Sequence, residues 1–325
     1  MSATQTSTTT ATGNTPTQSS SSNISTTTLP AARKVKGTIA YLNASIEKPY
    51  LYLCKPPKGE PTTNVIHDMI EKDVIDLHGT TYSERLQNGF HTKAAGFQIL
   101  DRNSWGLPST EVGWKSNQWE SKDWIEKQYY QDIDALLKRQ LGVTSTTIFD
   151  HTFRKSQTSH LPDDPENRKP VAQAHADQSR WAGENRIEKH LGREVLEKVK
   201  KGELHAQLVN VWRPMRTVEE LPLAVADSRT IYRGEQGGPS DWVESELKYE
   251  TWSGQTLLIH HRPEHQWYYY KGLEPDQAIL LKCYDSETET RTPHTAFVDP
   301  STPADAKPRW SIEVRVLCLT EKNHN

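Results

Sequence analysis

The stretch that decides the fold of this chain is Pro170-Val171-Ala172-Gln173-Ala174-His175-Ala176-Asp177-Gln178-Ser179. Side chains at positions i and i+2 of a strand point to the same face, so His175 and Asp177 can bind one metal ion together. His294, in Thr292-Pro293-His294-Thr295-Ala296-Phe297, can supply a third ligand. Two imidazoles and a carboxylate with open positions are typical of non-heme Fe(II) oxygenases. The pattern predicts iron bound by His175, Asp177 and His294, although a His-x-Asp triplet alone is more often a pair of solvent-exposed side chains.

A second pattern follows the downstream histidine. Residues 307–317 read as a strand on which Arg309, Ser311, Glu313 and Arg315 share one face. A guanidinium binds a carboxylate through a planar fork, so an Arg-x-Ser pair near a metal site predicts a clamp for the distal carboxylate of 2-oxoglutarate. On an extended strand Arg309 and Arg315 are about 20 Å apart, so both cannot hold the same carboxylate, and either is a candidate. The alternative is a solvated basic face.

Composition excludes several classes of protein. The chain has 325 residues, a net charge of −3 and a pI near 6.5. The sequence contains no basic stripe of the kind that would indicate nucleic-acid binding. No apolar run is long enough to span a membrane. Cys54, Cys283 and Cys318 form neither a disulfide framework nor a zinc pattern. This cysteine usage favours a reducing compartment, and we expect a cytoplasmic protein.

The first 33 residues differ from the rest in composition. They are mostly Ser and Thr, with no charged side chain before Arg33, and they lack the apolar segment of a signal peptide. Such a segment buries too little apolar surface to offset its chain entropy. We therefore expect residues 1–33 to be a disordered tail and residues 34–325 to form a single domain, which is near the upper size for one core.

The remaining pattern predicts a β-rich α+β fold. A helix over 121–141 is capped by Ser121 and ended by Gly142, and a second helical stretch covers 183–201. A double-stranded β-helix, or jelly roll, with flanking helices suits this order of elements. In such a barrel, the strands that carry the predicted metal ligands are expected to face each other across the lumen. Strands are predicted at 37–42, 50–54, 96–100, 146–154, 204–212, 256–261, 266–270, 278–284, 295–298 and 311–319.

Several longer motifs occur in one order along the chain. They include Asn210-Val211-Trp212-Arg213-Pro214 and Leu281-Lys282-Cys283-Tyr284-Asp285-Ser286, together with segments 222–229, 292–300 and 311–315. In these motifs the chain resembles the fungal hydroxylase/desaturase family of AsaB type, which includes gibberellin desaturase-like enzymes and the cephamycin component CmcJ. The resemblance extends over about residues 37–320. It departs from the family pattern at Ala176 and at Arg180-Trp181, where members carry Val and Pro, and this difference can reshape the substrate entrance.

The resemblance implies an Fe(II)- and 2-oxoglutarate-dependent oxidoreductase that uses O2. Its expected reaction is the hydroxylation or desaturation of a small, largely apolar molecule in secondary-metabolite biosynthesis. Two other functions stay open: a non-catalytic jelly-roll binding protein with a relic metal site, and a nucleic-acid dealkylase of the same superfamily. The second is suggested by the Arg-x-Ser-x-x-x-Arg run, while the net charge argues against it. The substrate and the oligomeric state are not indicated.

A few other residues have side chains that could serve a site. Asn210 lies on a predicted core strand and is a candidate contact for 2-oxoglutarate, as are Lys282 and Tyr284. The group His260, His261 and His265 is better explained as a solvated turn than as a second metal site. His151 is expected to be structural. The aromatic run 267–270 is expected to alternate between core and surface.

Overall fold

A computed structural model describes residues 33–104, 121–156, 168–234 and 239–322. The tail predicted to be disordered lies outside these ranges except for Arg33. In the described part of the chain, the strands form one nine-stranded and one five-stranded sheet. No helix in these ranges is long and apolar enough to cross a membrane.

The large sheet carries the predicted metal-binding segments. Its strands are β1 (Lys34–Leu42), β2 (Tyr50–Tyr52), β3 (His67–Asp76), β6 (His175–Ala176), β8 (Leu223–Ala226), β9 (Trp242–Lys248), β10 (Ser253–Ile259), β11 (Trp267–Tyr269) and β13 (His294–Ala296). They lie in the order β1-β3-β11-β8-β13-β6-β10-β9-β2, and the pairs are antiparallel except β3 with β11 and β2 with β9.

The small sheet is antiparallel throughout, in the order β4-β12-β7-β14-β5. Its strands are β4 (Phe97–Leu100), β5 (Ser145–Lys155), β7 (Leu204–Pro214), β12 (Ala278–Asp285) and β14 (Trp310–Glu321). Alternation along β7 shows how it is sandwiched, because Leu208 and Trp212 pack towards the large sheet while Val209 and Val211 pack towards a helix. Asn210 therefore points into the space between the sheets, where the site lies.

The helices cover the outside of this sandwich. The segment predicted as one helix is divided: α2 (Lys122–Trp124) and α3 (Tyr130–Leu141) flank a π-helical turn at Ile125–Tyr129. The side chain of Ser121 accepts a hydrogen bond from the Trp124 N–H, and Gly142 ends α3 with φ +68°, which confirms both predicted ends. Its buried residues pack against the small sheet; they are Ile125, Tyr129, Ile133, Leu136 and Leu137. A short helix, α1 (Tyr82–Gln87), precedes β4.

The second helical stretch is also divided. It begins at Arg180, where Ser179 provides the N-cap, and forms α4 (Arg180–Leu191) and α5 (Arg193–Lys200). Gly192 separates them with φ +91° and ψ 162°, a backbone conformation open to glycine but not to a continued helix.

Two other parts of the prediction were wrong. The strands β3, β8 and β9 were not predicted, because β3 and β9 are rich in charged side chains and β8 has only four residues. The expected alternation of the aromatic run is also absent, since Trp267, Tyr268 and Tyr269 are all buried. The strand they form lies inside the large sheet and is covered on both faces. Tyr268 packs into one cluster of buried apolar residues, and Trp267 and Tyr269 pack into another on the opposite face.

Candidate metal centre

Three residues from distant parts of the chain meet at the middle of the large sheet. His175 in β6 and His294 in β13 are direct partners across two antiparallel strands, and Asp177 follows β6. The Oδ1 of Asp177 lies 3.4 Å from Nε2 of His175 and 3.8 Å from Nε2 of His294. Neighbouring ligands at about 2.1 Å from an ion are about 3 Å apart, so these atoms need little adjustment to bind one metal. Of the described residues, these three form the cluster suited to a metal ion.

The arrangement corrects one expectation from sequence. The two histidine-bearing strands do not face each other across the lumen; they are neighbours in the same sheet, with His294 registered on His175. Their imidazole centroids lie 4.4 Å apart. The ligand set is therefore held by strand pairing over short distances, which makes it more rigid than a set that spans two sheets.

Both imidazoles are oriented by the backbone. The Nδ1 of His175 lies 2.9 Å from the Gln173 carbonyl oxygen, and the Nδ1 of His294 lies 3.0 Å from that of Thr292. A carbonyl oxygen only accepts hydrogen bonds, so each Nδ1 carries the proton and each Nε2 keeps a free lone pair. A metal-binding histidine usually donates its other ring N–H to such an acceptor, which fixes the orientation of the ring.

The Asp177 carboxylate divides its two oxygens between two roles. While Oδ1 faces the imidazoles, Oδ2 accepts a hydrogen bond of 2.6 Å from Nδ2 of Asn210 and lies 3.7 Å from Nε of Arg315. Burial raises the pKa of Asp177, but the neighbouring His175 side chain, the positive charge of Arg315 and the His294 side chain together outweigh it. The pKa of Asp177 is held well below its usual range, so the group is ionised and available to a cation.

The electrostatic setting of His294 also suits a ligand. Burial and the neighbouring His175 lower the pKa of His294, against the opposing charges of Asp177 and Glu313. The neutral form of the imidazole is the form that binds metal. His294 is therefore ready to bind a metal without first losing a proton near neutral pH.

A cavity opens beside the three ligands and is named here the inner cavity. Two guanidinium groups and two carboxylates contribute to its wall. The inner cavity is lined by His175, Asp177, His294, Arg154, Arg309 and Glu313, with smaller apolar contributions.

Arg309 is the most unusual residue of this cavity. It is 2 % exposed, its Nη1 donates to the Leu221 carbonyl oxygen at 2.6 Å, and its guanidinium lies 5.5 Å from the Trp212 ring centroid. Its Nε has no hydrogen-bond partner, although buried donors are nearly always paired. Burial and the nearby Arg154 lower the pKa of Arg309 to about 9. Such a cation is short of an anionic partner, and its place in the wall suits a ligand carboxylate.

The loop that accepts from Arg309 is strained. Among the described residues outside glycine, Leu221 is the one with positive φ, at +44°. A non-glycine residue in this region costs free energy and persists only where the surroundings demand it. The strain at Leu221 directs its carbonyl towards the Arg309 guanidinium, which indicates that the position of Arg309 is itself constrained.

The other predicted cosubstrate residues occupy different places. Arg315 donates from Nη2 to Glu313 at 2.6 Å and from Nη1 to Thr152 at 2.9 Å, so its charge is already compensated beside Asp177. Asn210 donates a hydrogen bond to the Asp177 carboxylate. Ser311 is buried next to Arg309 but is not among the residues lining the inner cavity. The position of Arg309 thus differs from those of Ser311, Arg315 and Asn210.

Two further candidates from the sequence are used elsewhere. Lys282 forms a fully buried ion pair with Asp285 at 2.5 Å. The ring of Tyr284 packs on the backbone of Gly183, where even a Cβ atom would lie 2.3 Å from it. Neither side chain lines the inner cavity, so both have structural roles in the described part of the molecule.

The remaining histidines do not form a second metal site in the described ranges. The expected solvated turn is wrong for His265, which is 2 % exposed, stacks on Tyr41 and lies 2.9 Å from Asp241 through Nε2. His261 is exposed at the turn. His151 lies 2.7 Å from the Tyr130 hydroxyl through Nδ1, in agreement with a structural role.

Sequence reasoning missed Arg154. It lies opposite Ser311 in the pairing of β5 with β14, and its Nη1 donates to the Lys169 carbonyl. The only sequence signal was its position in a predicted strand, which does not say which strand pairs with it. A second cation in the inner cavity is therefore visible only once the sheet is assembled.

Fold and site together define a jelly-roll protein with a two-histidine, one-carboxylate metal centre. The chain belongs to the oxidoreductase/YMDC permease-like domain family, whose model matches residues 39–319. The predicted jelly roll is confirmed by the solved structure of the iron and alpha-ketoglutarate-dependent endoperoxidase NvfI. That structure matches with a TM-score of 0.71 at 22 % identity over 89 % of this chain and 99 % of that one.

Curated relatives agree with the resemblance described from sequence. The hydroxylase/desaturase poxK of Penicillium oxalicum is 29 % identical over 327 residues, which cover 91 % of this chain and 94 % of that protein. The hydroxylase/desaturase asaB of Aspergillus flavus is 39 % identical over 125 residues, 35 % of this chain and 55 % of that protein. The predicted hydroxylase/desaturase resemblance and the oxidoreductase class are thus confirmed.

Proposed function

We propose that this protein is an Fe(II)- and 2-oxoglutarate-dependent oxygenase that hydroxylates or desaturates a small, largely apolar molecule in secondary-metabolite biosynthesis. The observation that carries the proposal is the combination of the complete metal-ligand set with a buried, incompletely paired arginine in the same cavity. The relatives named hydroxylase/desaturase and the matching iron- and alpha-ketoglutarate-dependent structure support it.

The ligand set fits iron by its chemistry. Nε2 of His175, Nε2 of His294 and Oδ1 of Asp177 would hold Fe(II), and this set with open positions suits the metal of such oxygenases. Bound iron, 2-oxoglutarate and O2 together supply the oxidising power to attack an unactivated C–H bond. The protein orients the ligands: the Gln173 and Thr292 carbonyls set the imidazoles, and Asn210 and Arg315 hold Asp177.

The cosubstrate end of the site rests on Arg309. Its guanidinium would bind the distal carboxylate of 2-oxoglutarate through a charge-assisted hydrogen bond, and this contact would use the unpaired Nε. Arg154 would add a second positive charge from the adjoining strand β5, and a contact of Ser311 with the same carboxylate stays a prediction. A direct contact of Arg315 or Asn210 with 2-oxoglutarate stays a prediction, since both side chains are bonded at Asp177.

We further propose that residues 34–325 act as one oxygenase domain in the cytoplasm on a small-molecule substrate. The family match over residues 39–319 supports the single domain. Cys54, Cys283 and Cys318 are all free, and the last two are buried. Free thiols that take no part in disulfides suit a reducing compartment.

Anaerobic titration tests the proposal directly. Fe(II) is added to the protein without oxygen, followed by 2-oxoglutarate, and the visible spectrum is recorded. A weak metal-to-ligand charge-transfer band is expected only when both are present, and succinate should resemble buffer because it lacks the keto group. If wild-type protein binds neither Fe(II) nor 2-oxoglutarate, the proposal is wrong and a non-catalytic binding protein is the better explanation.

A further inference from the structure

A second cavity shares Asp177 with the inner cavity but does not include Arg309 in its wall. It lies between α4 and the hairpin of β9 and β10, has a volume of about 150 Å³, and ends at Asp177 and Gln178. We name it the outer groove. Its principal lining residues are Trp181, Asn185, Arg186 and Lys189 of α4, with Tyr249 and Trp252 of the hairpin.

The helix side of the outer groove is a regular face. Positions 181, 185 and 189 are spaced by four residues, so their side chains lie above one another along α4. Trp181 is 46 % exposed, so this indole does not serve the core. A large, nearly half-exposed aromatic side chain at the mouth of a cavity indicates a binding surface.

The hairpin side supplies a second aromatic wall. Trp252 is 49 % exposed and stacks on Tyr249, with ring centroids 3.8 Å apart and planes within 8°. Stacking fixes the orientation of the indole before any ligand arrives, which lowers the entropy lost on binding. The groove thus presents flat apolar surfaces on both sides, and these favour a flat, unsaturated or aromatic ligand.

The charge of the groove is one-sided. Arg186 and Lys189 are its two cations, and neither has an ion-pair partner among the described residues; their contacts are with the rings of Phe149 and Trp252. Among the described residues that line the groove, Asp177 is the only acidic one, and it belongs to the proposed metal site. A neutral substrate would leave both cations unused, whereas an anionic group would pair with them.

We propose that the outer groove binds a substrate with a flat, unsaturated or aromatic body and an anionic group, which Arg186 and Lys189 hold. This inference rests on the proposed function and names its substrate class. Arg186 and Lys189 lie seven and ten residues beyond the N-cap Ser179, which corresponds to about 10–15 Å along the helix. The oxidised carbon and the anion of the substrate are then separated by a similar distance, with Trp181 and Trp252 against the body between them.

Two fluorescent probes test the charge requirement. 1-Anilinonaphthalene-8-sulfonate has aromatic rings and an anion, and N-phenyl-1-naphthylamine has the same rings without the charge. We expect the double variant Arg186→Gln/Lys189→Gln to weaken binding of the sulfonate about five- to tenfold, because two partly exposed pairs are lost. Binding of the neutral probe should change by less than about twofold.

The matched control removes the same charge from the next helix. Arg193 and Lys198 are exposed on α5 and line neither cavity, so Arg193→Gln/Lys198→Gln should leave both probes unaffected. The variant Trp181→Ala should weaken both probes, since it removes the aromatic wall. The proposal would be overturned if the Arg186/Lys189 variant lost affinity equally for the two probes or lost none for the sulfonate. It would also be overturned if the control variant weakened sulfonate binding as much as the Arg186/Lys189 variant.

The iron-site band separates this inference from the proposed function. All groove variants are expected to keep the charge-transfer band with Fe(II) and 2-oxoglutarate, because none of the substituted residues lines the inner cavity. A normal band with no charge preference in the groove overturns the substrate class alone. Absence of the band in wild-type protein, with the charge preference intact, overturns the oxygenase and leaves an anion-binding groove.

Discussion

The inner cavity and the outer groove meet at Asp177 but use positive charge in opposite ways. In the inner cavity Arg309 is buried and held by a strained loop carbonyl, whereas in the groove Arg186 is half-buried and Lys189 exposed on a helix surface. A buried charge is costly unless its partner is always present, while an exposed charge tolerates many partners. The comparison indicates that the inner cavity is built for one particular acid and that the groove is less selective for its anionic partner.

The largest expected effect concerns the point where the two regions meet. His175→Ala, Asp177→Ala and His294→Ala should each abolish turnover and Fe(II) binding while leaving the fold intact, because each removes a metal ligand. Iron binding is measured by titration and the fold by circular dichroism. His78→Ala, at an exposed histidine remote from the site, is the control. Full activity in any of the three variants would remove that residue from the metal site.

The next effect tests whether buried charge belongs to the cosubstrate. Arg309→Gln should raise the 2-oxoglutarate requirement at least tenfold, since losing a buried charge-assisted pair costs about 2–5 kcal/mol. Arg315→Gln should change that requirement little, because Arg315 is paired at Glu313 and Asp177. The KM for 2-oxoglutarate is measured in both variants. A larger effect on the KM in the Arg315 variant would make Arg315 the residue that binds the distal carboxylate. No effect in either variant would mean that 2-oxoglutarate is not the cosubstrate.

A smaller effect is expected where the protein only supports a ligand. Asn210→Ala removes the hydrogen bond to Oδ2 of Asp177 and should weaken Fe(II) binding about ten- to a hundredfold, as is usual for second-shell partners. Saturating Fe(II) should then restore most of the activity, and the KM for 2-oxoglutarate at saturating iron should stay near the wild-type value. A raised KM at saturating iron would instead indicate a direct contact of Asn210 with the cosubstrate.

Salt distinguishes the two regions without mutation. Raising the ionic strength from about 0.05 to 0.5 M shortens the screening length to a few ångströms, which weakens pairs between exposed charges more than buried ones. Binding of 1-anilinonaphthalene-8-sulfonate should therefore fall several-fold, while the KM for 2-oxoglutarate changes by less than about twofold. Equal salt dependence of the two measurements would remove the contrast between buried and exposed charge.

The smallest effect is expected outside both regions. A chain that begins at residue 31 should keep the melting temperature and the activity of the full chain, because the deleted Ser/Thr-rich segment has no apolar face with which to pack. Thermal unfolding and turnover are compared for the two chains. A fall of several degrees on truncation would show that the tail contributes to the domain.

Much of the fold was predictable because it depends on local chemistry. The ends of the α2–α3 segment follow from Ser121 and Gly142. Ser121 accepts a hydrogen bond from a free backbone N–H at the start of the helix, and Gly142 adopts the left-handed conformation that ends it. The π-helical turn at Ile125–Tyr129 and the break at Gly192 were not predicted. The helical periodicity of a sequence changes little across one inserted residue, so packing of the neighbouring elements decides where such irregularities fall.

The metal ligands and the clamp divide in the same way. The period of two along a strand placed His175 and Asp177 in one site and Arg309, Ser311 and Arg315 on one strand face from the sequence alone, and the motif around His294 supplied the third ligand. Only the tertiary structure showed that β6 and β13 are neighbours and that Arg309 lines the inner cavity while Arg315 contacts Asp177. The position of Arg154 in the inner cavity and the presence of the outer groove also became visible only there. The reason is physical: periodicity determines which face a side chain occupies, but strand pairing between distant segments determines which faces meet.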